Sequence, residues 1–377
     1  MKLLVFAHKP PPHHGQSYMV QLVLDGLKTS PIQLFHVDAR LSRGTEDIGR
    51  MRWLKVFVLL KYCLQAIWLR STEGVNNFYY VPANGNRAPL YRDWLVMLLC
   101  RPFFKRVIYH WHSAGLGEWL EQKARPWERW VSARLMSGPD LSIVLGNYNR
   151  RDADALASRS VAVIPNGIPD PRPDFENDVL PIRLTQAERR RGGEPYTFQV
   201  LYLGLCYRPK GLFDLLEAIV IANEKLKGTP VRMKLVVAGG FYVEAERAEF
   251  ERRASQPDLI NWVEYKGFVS GDQKRGLLRT SDCLCFPTYY EAESFGLVVI
   301  EAMAYGLPLV ITNWRSVPEV VPPGYEHVVE PRAPEQLAKA MVSLLGEGYD
   351  PRLREHFLKH YTAELFVAKI RAALLNL

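Results

Sequence analysis

The chain has 377 residues, of which 48% are hydrophobic and 23% are charged, so it can fill two globular cores of about 150–200 residues each and is not disordered. Its five cysteines are scattered, odd in number and without CxxC spacing, which argues against a disulfide framework or a zinc site and fits a reducing cytoplasm. The net charge of +8 is uneven, because residues 1–150 contain 20 Lys and Arg against 10 Asp and Glu. This basic half predicts an anionic partner: a membrane surface, a phosphorylated substrate or a nucleic acid.

Neither the start of the chain nor its longest apolar stretch has the pattern of an export signal or a membrane span. The first apolar run holds about five residues before a Pro-rich turn, whereas a signal peptide needs roughly 7–15. Residues 53–70 are predicted as a hydrophobic helix interrupted by Lys55, Lys61 and Gln65, which falls short of the roughly 20 largely apolar residues of a transmembrane helix. We therefore expect a cytoplasmic protein without a transmembrane helix.

The first half of the chain alternates short apolar runs with amphipathic stretches. This pattern is typical of a parallel sheet that is covered by helices on both faces. A helix is predicted at 17–27, with Ser17 as its N-cap. The predicted strands are residues 2–7, 32–37, 77–81, 106–110, 141–145 and 161–164.

The same pattern restarts after a charged, Gly-containing stretch at 185–195, which is predicted to be an exposed linker. Two doubly wound, Rossmann-like α/β domains that face each other across a cleft are therefore expected. We assign residues 1–180 to the first domain, 181–196 to the linker, 197–360 to the second domain and 361–377 to a C-terminal helix packing back on the first. The second half has predicted strands at 198–204, 231–239, 259–267, 283–286 and 308–312 and predicted helices at 213–226, 296–306 and 334–345.

Two carboxylates bracket an otherwise apolar, Gly- and Ser-containing stretch, EAESFGLVVIEAMAYG at 291–306. Glu293 stands at the turn after a predicted strand, and Glu301 stands two turns into the next helix, roughly 12 Å further along. Carboxylates that far apart cannot share one proton, so they are expected to hold different parts of one extended ligand. The free backbone N–H groups of a helix start beside a flexible glycine attract phosphate oxygens.

The segment PTYYEAESFGLVVIEAMAYGLPLV at 287–310 resembles the E-x7-E signature of the family-four glycosyltransferases. These are retaining enzymes of the GT-B fold that use nucleotide sugars. The resemblance implies that Glu293 contacts the donor sugar in catalysis and that Glu301 hydrogen-bonds the nucleotide ribose. It further implies donor binding by the start of the helix, at Ser294, Phe295, Gly296 and Leu297.

A second segment, LYLGLCYRPKG at 201–211, runs from a predicted strand through a turn into a helix. A lysine at such a turn can neutralise a diphosphate leaving group. The segment resembles the G-R-L-x3-K-G motif of the same family, which implies donor binding by Gly204 and a catalytic role for Lys210. The usual arginine position holds Leu205, and Arg208 is the residue that could replace it. A surface lysine and arginine near a helix start are the alternative.

The first half matches the family at two places. HKPPPHHGQS at 8–17 resembles its amino-terminal glycine loop, so Gly15 is expected to let the backbone approach the donor diphosphate. VIYHWHSAGLG at 107–117 carries two histidines that point the same way along a strand. The resemblance implies a catalytic role for His112 near the donor sugar, whereas His110 is expected in the core.

Two further segments carry weaker assignments. VIPNGIP at 163–169 resembles the family segment I-P-N-G-I-D, which implies that Asn166 and Gly167 shape the rim of the cleft. VEYKGFV at 263–269 implies that Gly267 and Phe268 offer backbone groups to the nucleobase.

The string Asp152-x-Asp154 in RRDADALA resembles a manganese-binding motif of another glycosyltransferase class. It lies where a helix is predicted to begin, and helix starts favour acids in any case. No metal site is therefore assigned, and no cofactor is expected beyond the nucleotide-sugar co-substrate.

The reading that follows is a retaining, metal-independent hexosyltransferase. It would move sugar from a UDP- or GDP-sugar to a saccharide or a lipid-linked saccharide in polysaccharide or glycolipid synthesis. A GT-B sugar-nucleotide epimerase or phosphorylase is the enzymatic alternative. A basic nucleic-acid-binding protein is the other, although no base-reading module is recognisable, so no nucleic-acid partner is expected.

A membrane surface stays a candidate partner of the first domain. Between Arg50 and Arg106 there are ten Lys and Arg against two acids, interleaved with tryptophan and phenylalanine. This mixture suits an anionic bilayer surface and a peripheral location at the inner face of the plasma membrane. Helices that cover a sheet with solvated charged edges are the alternative.

Overall fold

The computed structural model describes residues 1–11, 15–40 and 53–377, and at residues 53 and 54 it describes the backbone alone. They form two compact units, the first made of residues 1–167 and 363–377 and the second of residues 168–362. The histidine-rich part of the amino-terminal loop and the start of the basic stretch at residue 50 lie outside the described residues. Of the described helices, none has the length and hydropathy that a bilayer crossing requires.

The first unit is built on a six-stranded parallel sheet in the order β2-β1-β3-β4-β5-β6. Every strand predicted in this half is confirmed to within one residue at each end. The four inner strands are buried along most of their length because helices lie on both faces of the sheet, and the two edge strands are only partly buried. They are β1 (Lys2–Phe6), β2 (Gln33–Val37), β3 (Asn77–Tyr80), β4 (Arg106–His110), β5 (Leu141–Val144) and β6 (Val161–Val163).

Among the described residues, seven helices accompany this sheet. The first begins at Gly15, two residues before the predicted start, so Ser17 is a buried residue within the first turn and the prediction that it caps the helix is wrong. The helices are α1 (Gly15–Leu27), α2 (Trp53–Glu73), α3 (Arg87–Cys100), α4 (Leu116–Gln122), α5 (Pro126–Met136) and α6 (Arg150–Ala155), with the last helix of the chain, Ala363–Leu375, packing against α1.

The second unit repeats the architecture with the strand order β12-β11-β10-β7-β8-β9, again all parallel. One predicted strand, 259–267, is shorter than expected because residues 256–262 form turns. The two-residue strand at 328 was too short for a sequence pattern to detect. The strands are β7 (Tyr196–Leu203), β8 (Val231–Ala238), β9 (Val263–Tyr265), β10 (Cys283–Phe286), β11 (Leu309–Thr312) and β12 (Val328–Val329).

The helices of the second unit include one where a linker was expected. Residues 180–191 are helical, and the guanidinium of Arg183 donates to the carbonyl oxygens of Tyr305, Leu278 and Ser281. The positive charges of this stretch are thus partly used inside the unit. The helices are α7 (Phe175–Asp178), α8 (Leu180–Arg191), α9 (Leu212–Lys225), α10 (Glu244–Ala254), α11 (Gly271–Thr280), α12 (Leu297–Ala304), α13 (Pro334–Ser343), α14 (Pro351–His360) and, in the first unit, α15 (Ala363–Leu375).

The boundary between the units lies at residue 168 rather than 181. The amide of Ile168 donates to the carbonyl oxygen of Tyr361, and Arg354 on α14 binds the carboxylate of Asp170 at 2.7 Å and the carbonyl of Arg172 at 2.9 Å. These bonds hold residues 168–172 on the second unit. A sequence pattern cannot reveal them because the partners are separated by more than 180 residues.

Candidate functional site

Lys210 and Glu293 form an ion pair in the second unit. Lys210 ends a short helical turn after β7, and Glu293 follows β10. The ammonium nitrogen Nζ of Lys210 lies 2.6 Å from Oε2 of Glu293. The same oxygen accepts a hydrogen bond of 3.3 Å from the hydroxyl of Thr288. Both side chains are largely shielded from solvent, with exposed fractions of 20% and 9%. The structure therefore brings together two of the three residues for which the family resemblance implies catalytic roles, and the third, His112, belongs to the first unit.

Aromatic rings surround the ammonium group of Lys210. Its Nζ lies 4.9 Å from the ring centre of Tyr290 and 5.8 Å from that of Phe286. Ring faces carry partial negative charge and stabilise a nearby cation. The lysine is thus held as a positively charged group at the carboxyl end of the sheet, where an anionic ligand group can approach it. The sequence reasoning missed the role of Tyr290, although an aromatic pair right after a buried strand was visible.

A glycine makes this close approach feasible. Gly211 adopts a positive φ of 77°, and a Cβ atom there would lie 2.1 Å from the carbonyl oxygen of Pro287. The amide of Tyr289 donates to the carbonyl of Pro209 at 2.8 Å in the same place. The turn after β7 therefore packs directly on the turn after β10, and only glycine fits at the contact.

Helix α12 starts just beyond Glu293. Gly296 precedes it with a φ of 80°, which a residue with a side chain rarely adopts. Ser294 and Phe295 are buried, and the hydroxyl of Ser316 donates to the carbonyl of Ser294 at 2.5 Å. The segment is thereby fixed so that the positive end of the helix dipole, at Leu297, adjoins the Glu293 turn.

Glu301 lies in the second turn of α12 and has one occupied and one unoccupied oxygen. Its Oε1 accepts a hydrogen bond from Nζ of Lys274, on α11, at 2.6 Å. Its Oε2 is buried and has no hydrogen-bond partner among the residues that the structure describes. A buried carboxylate oxygen without a donor is costly in free energy, and ribose binding by Glu301 stays a prediction. Lys274 was not singled out by sequence, because nothing in GDQKRGLLRT distinguishes it from a solvated helix residue.

Glycines also line the carboxyl ends of β7, β8 and β9. A Cβ atom on Gly239 would lie 1.7 Å from the carbonyl oxygen of Gly204, and the amide of Gly239 donates to the carbonyl of Gly267 at 2.8 Å. The neighbouring ring of Phe268 is exposed. The structure thus leaves bare backbone and a free aromatic ring here, and nucleobase binding by Gly267 and Phe268 stays a prediction.

Arg208 is engaged with a neighbouring helix. Its backbone amide donates to Glu246 at 2.9 Å, its guanidinium pairs with Glu249, and its plane lies 4.1 Å from the ring centre of Phe213. In the structure, the positive charge of Arg208 is therefore paired with a glutamate on α10. Donor binding by Arg208 stays a prediction that requires exchange of these acidic partners for a phosphate.

In the first unit, His110 ends β4 and His112 follows it, and their ring centres lie 4.0 Å apart. His110 is fully buried and its Nδ1 bonds the hydroxyl of Tyr79. Burial, with a further contribution from His112, holds the pKa of His110 well below its usual value, so the ring is neutral. His112 is less buried, and its predicted role at the donor sugar stays a prediction.

The remaining predictions for the first unit concern two glycines and one asparagine. Gly15 is the exposed first residue of α1. Asn166 is buried, and its Oδ1 lacks a hydrogen-bond partner within the described part of the chain. Gly167 is buried beside it. A rim position for Asn166 and Gly167 stays a prediction.

Asp152 has a structural task. Its carboxylate accepts hydrogen bonds from the amides of Gly117 at 2.7 Å and Gly115 at 3.0 Å, and so caps the start of α4. No cluster of three or more potential metal ligands occurs among residues 1–11, 15–40 and 53–377. Within that range, nothing groups Asp152 and Asp154 with a third ligand.

Solved structures define the class of this fold. A sucrose-phosphate synthase from Thermosynechococcus elongatus superimposes with a TM-score of 0.71 at 18% identity, covering 100% of this chain and 99% of that one. HepE of Anabaena in complex with UDP-glucose superimposes with a TM-score of 0.67 at 14% identity, covering 100% of both chains. The predicted α/β fold with two Rossmann-like units is therefore confirmed as the fold of the GT-B glycosyltransferases.

The family comparison points the same way. Residues 186–360 match the family described as Glycosyl transferases group 1, and this region contains Lys210, Glu293 and Glu301. A phosphatidyl-myo-inositol mannosyltransferase of Mycobacterium leprae is 29% identical over 225 residues, which are 59% of this chain and 52% of that protein. The chain thus spans about half the length of the curated relatives it matches, or less. The chain is therefore similar to this family over most of its second unit.

Proposed function

We propose that this protein transfers a sugar from a UDP- or GDP-linked donor to a saccharide or a lipid-linked saccharide. The observation that carries the proposal is the pair of carboxylates on the turn and helix after β10. Glu293 is bound by Lys210, whereas Glu301 has a buried oxygen without a donor. A nucleotide sugar offers a group suited to each: a diphosphate for the lysine and a ribose hydroxyl for the free oxygen. The family match over 186–360 adds support.

The proposed chemistry uses charge that is already in place. When the bond between the anomeric carbon and the diphosphate oxygen breaks, negative charge grows on the leaving diphosphate. Lys210 and the dipole of α12 stabilise this charge without rearranging solvent. The acceptor hydroxyl attacks the face from which the diphosphate departs and gives its proton to a donor phosphate oxygen, so the anomeric configuration is retained. Glu293 orients the donor sugar and Lys210, and no covalent role is assigned to it.

The same arrangement makes a divalent metal dispensable in our proposal. A metal would serve to neutralise the diphosphate, and a lysine ammonium beside a helix start supplies that charge. The nucleotide sugar is then a co-substrate and no resident cofactor is proposed.

The acceptor is the least constrained part of the proposal. A relative is named as a mannosyltransferase of phosphatidyl-myo-inositol, and the first unit is basic, with 20 Lys and Arg against 10 Asp and Glu in residues 1–150. Both observations support an acceptor with an anionic or lipid-linked carrier. We propose that the protein transfers sugar at the cytoplasmic face of a membrane, in polysaccharide or glycolipid synthesis.

A thermal-shift panel of UDP, GDP, ADP and their glucose and mannose derivatives tests the donor assignment. A ligand at 100 times its Kd adds about 2.7 kcal/mol of stability, which corresponds to about 5–11 °C for a unit of 150–250 residues. Glu301→Gln should shrink the shift, and the exposed Glu355→Gln on α14 is the matched control. The absence of a shift with every nucleotide, together with retention of tRNA or duplex DNA on filters at physiological salt, would replace this proposal by nucleic-acid binding.

Turnover with the bound donor then tests the reaction. Incubation with the donor and a lipid extract or saccharide panel should give a product whose anomeric configuration, read by NMR, is that of the donor. Conversion of the nucleotide sugar into an epimer without acceptor would instead establish an epimerase. Inorganic phosphate replacing the acceptor would establish a phosphorylase.

A further inference from the structure

The solvent-facing side of α2 is apolar. Phe57, Leu64 and Trp68 expose 68%, 66% and 60% of their surfaces. Together with the exposed Lys61 they occupy positions separated by four, three and four residues, which fall on one face of a helix. The four side chains form a stripe roughly 17 Å long. We call them the α2 stripe.

The opposite side of the same helix is already used by the core. Leu59, Cys63 and Ala66 are buried against the first unit. A helix on the surface of a soluble protein normally turns charged or polar residues outward. Here both sides are apolar, so the outward side lacks a partner in the chain as described. Exposed aromatic residues clustered in this way mark an interaction surface.

Positive charge predominates on α2. Within α2 the basic residues are Lys55, Lys61 and Arg70, and the acidic residue is Glu73, the last of the helix. No acidic residue lies on the stripe, while Lys61 lies within it.

The wider surroundings of the stripe are basic. Residues 1–150 contain 20 Lys and Arg against 10 Asp and Glu. Arg70 lies on the opposite, core-facing side of α2, because it is two residues from Trp68 in a helix with 3.6 residues per turn, and its Nε donates to the carbonyl of Phe103 at 2.8 Å. The stripe therefore combines apolar side chains with Lys61 in a unit of net positive charge.

The area of the stripe suits a lipid surface better than a second copy of the chain. An aromatic side chain offers roughly 150–250 Å², so three side chains exposed to about two-thirds give roughly 400 Å². A stable protein interface needs about 800 Å² from each partner. Shallow insertion of an amphipathic helix into lipid headgroups has no such threshold, because charge attraction adds to the apolar contact.

We propose that the α2 stripe docks into the headgroup region of an anionic membrane. Phe57, Leu64 and Trp68 enter the boundary between headgroups and acyl chains, with α2 lying in the plane of the membrane. The stem of Lys61 lies along the same surface and its ammonium reaches the lipid phosphates. This proposal goes beyond glycosyl transfer and does not depend on the donor assignment.

Co-sedimentation of the full chain with vesicles, without any nucleotide or acceptor, tests the proposal. Vesicles of equal parts phosphatidylglycerol and phosphatidylcholine should bind the protein, and pure phosphatidylcholine vesicles should bind it much less. The triple variant Phe57→Ser, Leu64→Ser, Trp68→Ser should lower the partition coefficient at least about a hundredfold, even if only a third of the stripe inserts. Because these side chains are exposed, its thermal unfolding should match that of the wild type.

A matched control replaces three exposed apolar residues outside the stripe by serine. Trp130→Ser, Ile260→Ser, Leu375→Ser removes three exposed apolar side chains outside the stripe, and its binding should stay within about threefold of wild type. Lys61→Gln should reduce binding to anionic vesicles and weaken its salt dependence.

Direct insertion has its own signal. Lipids brominated near the headgroup should quench part of the tryptophan fluorescence, and that part should be absent in Trp68→Phe, which still binds. Equal binding by the stripe variant and the wild type would overturn the proposal. So would binding without loss of quenching in Trp68→Phe. A dimer in sedimentation velocity that the triple variant dissociates, with no vesicle binding, would assign the stripe to a second copy of the chain.

Discussion

Removal of the Glu301 carboxylate should weaken nucleotide binding without unfolding the protein. Its Oε2 is buried and lacks a donor, whereas Oε1 is held by Lys274 at 2.6 Å. A hydrogen bond to a charged acceptor contributes about 1.5–3 kcal/mol, so Glu301→Ala should raise the Kd of the preferred nucleoside diphosphate about 10- to 150-fold. Lys274 is 30% exposed, so water can solvate its ammonium in the variant and the fold should persist.

Titration calorimetry with the wild type and Glu301→Ala measures this difference. The test becomes sharper with nucleotides that lack a ribose hydroxyl, because the same contact is then removed from the ligand. For the 2′-deoxy or the 3′-deoxy nucleotide, the Kd of the variant should be within about threefold of the wild-type Kd. The hydrogen bond is then already absent from the ligand, so removal of the carboxylate costs little more. An unchanged Kd for the ribonucleotide would refute the assignment. An equal loss with ribo- and deoxynucleotides would show that Glu301 acts on the site indirectly.

Three further predictions concern other parts of the molecule. Lys210→Met should lower kcat about 10²- to 10³-fold in initial-rate measurements, because transition-state charge loses its partner; a kcat within threefold of wild type would contradict this role. EDTA should leave turnover unchanged, and restoration of activity in EDTA-treated enzyme by manganese would argue for a metal. Asp152→Ala should lower the free energy of unfolding in urea by about 0.5–2 kcal/mol, because the cap of α4 is lost. Burial, with the neighbouring His360, lowers the pKa of His356 from 6.5 to about 4. The unfolded chain then binds more protons between those values, so stability should fall as pH drops from 6.5 to 4, and His356→Asn should flatten that part of the profile in melting experiments.

The sequence by itself determined the elements and the chemistry of single residues. Largely apolar runs of four to nine residues identified eleven of the described strands, because a strand buried on both faces has to be apolar along its length. Positions that require glycine or a charged group also stood out locally, as at Gly211, Lys210 and Glu301. The sequence was less informative at 180–191, where polar residues suggested a linker. The structure has a helix there, and its Arg183 donates hydrogen bonds to the carbonyl groups of Tyr305 and Ser281, far along the chain.

Only the tertiary structure decided which of these groups meet. Lys210 and Glu293 are 83 residues apart, and they touch because β7 and β10 are neighbours in the sheet and Gly211 permits close approach of the turns that follow them. The partner of Glu301, Lys274, carries no distinguishing pattern and becomes recognisable only through its position on α11. The exposure of Phe57, Leu64 and Trp68 was equally invisible to periodicity, because both sides of α2 are apolar and only packing shows which side the core covers. Local periodicity reports how a residue repeats along an element, whereas contact, burial and exposure depend on strand order and on the packing of distant segments.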